Sequence, residues 1–106
     1  MLISTTPTLP GYDIVEVIDI ARGSTVRARH IGRDISAVFK SVVGGEIKVY
    51  TKLMADAREH AIERMMADAD ELDADAIVNV RFMTSTVLQG ASEILAYGTA
   101  VKFKKI

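Results

Sequence analysis

A chain of 106 residues without a cysteine is one small domain, 1–106, with no disulfide, no thiolate nucleophile and no thiolate metal ligand. Thirteen Lys and Arg stand against fourteen Asp and Glu, so no net field draws in nucleic acid or an anionic membrane. Apolar residues make up 49% of the chain. A domain of this size hides only roughly 60–70% of its unfolded surface, and the apolar surplus is expected at an interface between copies.

In chain order, "MLIST" is a short apolar opening suited to an edge strand, and "TPTLPG" punctuates it with both prolines. The amino-terminal stretch has neither the basic region nor the apolar run of a signal peptide. No segment approaches the ~20 apolar residues that span a bilayer, so a cytoplasmic location with no membrane partner is expected. From Tyr12, "YDIVEVIDIARGSTVRAR" is rich in β-branched residues and reads as a long strand. Strict alternation puts Val15 and Val17 on one face and Ile14, Ile18 and Ile20 on the other. A strand apolar on both faces is covered on both, by a helix on one side and by another subunit on the other. Gly23 suggests a bulge or bend within it.

The period then changes to that of a helix. Ile31, Ile35, Val38, Phe39 and Val42 make a short amphipathic helix, ended at Gly44 or Gly45. A second, longer helix spans about Glu46 to Leu72, with Ile47, Tyr50, Met54, Ala57, Ala61, Met65, Ala69 and Leu72 along its apolar stripe. Two more strands follow, turning at "QGAS". In the first, Val78, Val80 and Phe82 alternate with Ile77, Asn79 and Arg81. In the second, Leu95, Tyr97, Thr99, Val101 and Phe103 oppose an unusually small face, Ile94, Ala96, Gly98, Ala100 and Lys102, that invites close approach by another backbone or helix. The fold class is α+β in ββααββ order: a four- to five-stranded, mainly antiparallel sheet packed on one short and one long helix.

Four places invite chemistry. "RGSTVRARHIGRDI" gathers four arginines and one of the two histidines of the chain into fourteen residues. Arg27 and Arg29 share a strand face, and Arg33 follows beside Gly32 at a helix start, where free amides and guanidinium groups suit an anion. With His30 they form a candidate ligand site; the plainer account is that they pair with Asp13, Glu16, Asp19 or Asp34. On the long helix, Asp56, His60 and Glu63 are spaced so that two carboxylates and an imidazole share one face, a weak candidate site for a transition metal and equally the pattern of a solvated face. "DADELDADA" is dense in carboxylates, but a helix end in water is their default setting rather than an acid–base pair. Tyr97 beside Gly98 could stack on a flat ligand, although packing is its commoner use. No phosphate loop, nucleophile elbow or zinc-protease motif is present, and no cofactor is identified.

"RGSTVRARHIGRDI", "GGEI", "YTKLMADAREHAIERM", "ADAIVNVRF" and "EILAYGTAVK" together resemble the YbjQ-like family, which carries a conjectural heavy-metal-binding label. The resemblance runs through the whole chain in order. It implies a compact α+β subunit that assembles into a ring, typically a pentamer, sometimes with two rings associated as a decamer. It implies no catalytic activity and brings no ligand set to transfer. Where the family usually reads "ELGADAI", this chain has Asp73 in place of the glycine, and Asp19 stands where the first long strand often carries glycine. The expectation is a cytoplasmic homo-oligomer, not an enzyme, that binds a metal or small ligand. The alternative is an enzyme or carrier acting on a phosphate or carboxylate at an Arg/His site between subunits.

Overall fold

The computed structural model describes residues 1–27, 45–88 and 91–106. Among these, β1 (Leu2–Ile3), β2 (Tyr12–Arg27), α1 (Gly45–Glu71), β3 (Ala76–Leu88) and β4 (Ala91–Lys105) follow one another along the chain. The fold is α+β, a four-stranded sheet in the order β1-β3-β4-β2 with one helix across one face. The β2/β4 and β3/β4 pairs are antiparallel and β1/β3 is parallel, so the sheet is mixed. A fifth strand is not found among the described residues. The expected short helix over residues 31–42 lies outside them, as do Gln89 and Gly90 of the expected turn.

The alanine-rich stripe decides how α1 sits. Ala57, Ala61, Met65 and Ala69 are buried against Ala21, Ile77, Val80, Ile94, Ala96 and Ala100 of the sheet, with Met54 and Leu72 partly covered. Small side chains on both surfaces let the helix backbone come close. A Cβ added to Gly23 would strike the backbone of α1 at the Met65 amide, with the Ala61 carbonyl oxygen 2.5 Å away. Gly23 pairs in regular register with Ala96; it therefore marks the helix contact and not the expected bulge or bend. Gly98 plays the smaller part on β4, where a Cβ would meet the Ile77 side chain at 2.6 Å and the Val78 carbonyl at 2.9 Å.

The bulges lie elsewhere and rearrange the predicted faces. On β2, Ile14 pairs with Phe103 but Glu16 with Lys102, and Val17 pairs with Val101 but Asp19 with Ala100. Val15 and Ile18 are thus extra residues, and each moves the strand that follows it by one face. Ile14, Val17 and Ile20 consequently share a face, in place of the predicted grouping of Ile14, Ile18 and Ile20. On β3, Asn79 and Val80 stand where β4 supplies only Gly98. Asn79 takes φ 55°, a left-handed conformation that asparagine tolerates better than most residues. Ile77 and Val80 therefore both face α1, while Val78 and Arg81 face away.

The amino-terminal segment completes the edge of β3. Ser4 N–H donates to the Ile77 carbonyl and its own carbonyl accepts from Val80 N–H, both at 2.9 Å, and Asn79 N–H donates to Thr6 at 3.1 Å. Leu9 then folds over the face away from α1, forming a second, smaller core with Ala76, Val78 and Val101, bordered by Tyr12, Ile14 and Phe103. The Tyr12 and Phe103 rings meet with centroids 4.4 Å apart, tilted by 52°, a favourable aromatic arrangement.

α1 ends in a Schellman turn. Ala74 N–H reaches back to the Ala69 carbonyl and Asp73 N–H to that of Asp70, both at 3.0 Å, with Asp73 at φ 59°. That is the left-handed position glycine usually fills.

Candidate functional site: the uncovered sheet face

The predicted ligand-binding residues are only partly within the described region. Arg27 closes β2, with its backbone opposite Ser92; Arg29, His30 and Arg33 lie outside the described residues. Asp56, His60 and Glu63 are all exposed on α1, away from its buried alanine stripe. Among the described residues no group of three or more His, Asp or Glu side chains is placed to hold a metal ion.

Three carboxylates around the end of α1, Asp68, Asp73 and Asp75, act as tethers, while Asp70 and Glu71 are exposed. Asp68 Oδ2 accepts from the Arg22 amide at 3.0 Å, and Asp75 Oδ2 accepts from the Phe103 amide at 3.1 Å. Asp73 forms an exposed ion pair with Lys102 at 3.3 Å. Together with Arg64, whose Nη1 donates to the Ser24 carbonyl at 2.5 Å, these groups tie helix to sheet. Spacing in the sequence gives no sign of them, because each partner is distant along the chain. Two of the contacts, with Asp19 Oδ1 accepting from Ile20 N–H at 2.7 Å, occupy outward backbone groups of β2. An edge strand is thereby closed to casual pairing.

The sheet face away from α1 is the open surface. Its lower end carries the Leu9 core; above that, no described residue covers it. Val17 is 68% exposed, Ile20 58% and Val26 52% on β2, and Met83 on β3 is 55% exposed. Ile20, Met83 and Val26 belong to the cross-strand rows Ile20–Thr99–Val78, Ser24–Leu95–Met83 and Val26–Glu93–Ser85, with Arg22–Tyr97–Arg81 between the first two, while Val17 lies opposite Val101 beside the Leu9 core. Tyr97 is half-buried, and Arg22 and Arg81 are exposed. Tyr97 stands in a row between these two arginines. The sequence reading passes over Arg22 and Arg81, since neither adjoins the other in the chain and only the β3 bulge brings Arg81 to this face.

No described helix is long and apolar enough to cross a membrane.

Comparison with known proteins places the fold and the chain. A family model named YbjQ, with the description "Putative heavy-metal-binding", matches residues 1–104. A UPF0145 protein of Thermosipho africanus is 55% identical over 105 residues, covering 99% of this chain and 97% of that protein. Another from Methanosarcina acetivorans is 57% identical over 102 residues, covering 96% of each. In Thermotoga maritima the UPF0145 protein is 51% identical over the full length of both chains. A crystal structure of a DUF74-family protein of unknown function from Pediococcus pentosaceus superposes with a TM-score of 0.66, covering 98% of each chain at 18% identity. At that identity it supports the fold alone.

Proposed function

Since the chain belongs to the YbjQ-like family, shared with the UPF0145 proteins, we propose that it acts in the cytoplasm as a homo-oligomeric ligand-binding protein and not as an enzyme. Copies cover one another's open sheet face in a ring, with a pentamer as the expected closure. A ligand is held where subunits meet, with Arg27, Arg29, His30 and Arg33 as its candidate contacts. The observation that carries the reading is the row of exposed Val17, Ile20, Val26 and Met83 on the face that α1 leaves bare. Isolated apolar residues on a surface are ordinary, but several exposed on one sheet face, here from β2 and β3, are a common mark of an interface. A stable contact buries about 800 Å² on each partner, and a sheet of this length offers room for it.

A metal would need ligands from several copies or from outside the described residues, because the chain has no cysteine and Asp56, His60 and Glu63 do not sit in a ligand group. Size-exclusion chromatography with light scattering tests the assembly; a monomer at micromolar concentration overturns it. Elemental analysis of untagged protein tests the metal, and stoichiometric zinc, nickel or copper would support it.

A further inference from the structure

One row of the open face differs from its neighbours. Arg22 lies directly opposite Tyr97 on one side, and Arg81 lies opposite Tyr97 on the other. Directly opposed residues have Cβ atoms about 4.5–5.5 Å apart, so two guanidinium-bearing side chains rise from the same face on either side of one phenol. The adjoining rows, Ile20–Thr99–Val78 and Ser24–Leu95–Met83, carry no charge. The acid of the described strands that shares this face is Glu93, two rows away, a separation of about 13 Å along the strands. Asp19 pairs with Ala100 and so points to the α1 side, where its Oδ1 is taken by the Ile20 amide.

The two arginines are prepared differently. Arg81 is anchored: Nη1 donates to the Thr5 carbonyl at 2.9 Å and to that of Val80 at 2.8 Å. A guanidinium has five N–H donors, so the rest of the fork remains available. Arg22 has its backbone fixed by Asp68, while its side chain has no hydrogen bond or ion pair among the described residues. Like charges on either side of one residue repel, and covering them without a counter-charge is costly. An oxyanion removes both problems, because guanidinium forks match its geometry.

We propose that Arg22, Tyr97 and Arg81 form a binding site for a small free oxyanion, a phosphate or carboxylate group. The two guanidinium groups flank the anion and the Tyr97 hydroxyl adds a third donor. The site lies on the face assigned above to assembly but does not require it, since a single subunit presents the whole row.

The test is calorimetric titration with inorganic phosphate, and separately with acetate, at ionic strength held constant with chloride. Wild-type protein, Arg22→Gln, Arg29→Gln and Lys104→Gln are compared, with light scattering on each. Arg22 is the informative variant because its side chain supports no other described contact. Saturable binding by wild type, weakened about tenfold or more in Arg22→Gln and unchanged in Lys104→Gln, supports the site. It is overturned by no binding beyond the chloride control, by equal binding in Arg22→Gln, or by loss confined to Arg29→Gln, which would move the anion to the cluster of the proposed function. A wild type that ignores both anions while Arg22→Gln dissociates the assembly also overturns it, and assigns the row to a carboxylate of a second copy. A monomer that binds phosphate through Arg22 leaves this site standing and removes the proposed assembly.

Discussion

Asp73 holds a left-handed conformation, φ 59°, at the end of α1, and that one residue separates two effects of opposite sign. A side chain there strains the backbone, and glycine relieves it; the exposed pair with Lys102 is lost in the exchange, but such pairs contribute little. Asp73→Gly is expected to stabilise by about 0.5–1 kcal/mol, measured by denaturant melting, and a loss of stability would show that the tether outweighs the strain. Gly23 is the opposite case. Its missing Cβ is the space the α1 backbone occupies, and the obstacle is main chain, which cannot rotate aside. Gly23→Ala should destabilise by about 3 kcal/mol or prevent folding, whereas a change below about 0.5 kcal/mol would mean that α1 lifts away freely. The sequence exposes Asp73 through the family pattern it departs from. Gly23 is legible only as a break in a strand, because nothing in a linear chain says what packs on it.

At the scale of elements, alternation succeeds where strands are regular and fails at bulges. The helix-facing side of β4, Ala96, Gly98 and Ala100, is as predicted, and the alanine stripe of α1 meets it. On β2 and β3 the period-two reading breaks after Val15, Ile18 and Asn79, because one extra residue reverses every side chain beyond it. The exposed patch and the Arg22–Tyr97–Arg81 row both depend on those reversals, which is why the candidate site was largely hidden in the sequence. The parallel pairing of β1 to β3 is equally nonlocal, set by amides of residues 79 and 80 reaching the amino-terminal segment. Asn79→Val tests the bulge: a β-branched residue at φ 55° should cost about 1–3 kcal/mol, seen as a lowered melting midpoint. An unchanged midpoint would show that β3 can pair without the left-handed residue.

For the whole molecule, composition and structure converge on a surface that one copy leaves open. The apolar fraction of the chain suggests more than it can hide alone, and the face bearing Val17, Ile20, Val26 and Met83 carries part of that excess among the described residues. The proposed ring takes its number of copies, five, from what the resemblance to the family implies. The central claim is that this face joins copies together, and light scattering of wild type beside Ile20→Lys tests it most directly. Ile20 is already 58% exposed in the single chain, so a lysine there leaves the subunit fold intact while placing a charge in the interface. The account predicts an oligomer for wild type and, for Ile20→Lys, a folded species of lower mass with an unchanged circular dichroism spectrum. A wild-type monomer, or an oligomer that Ile20→Lys leaves whole, would contradict it.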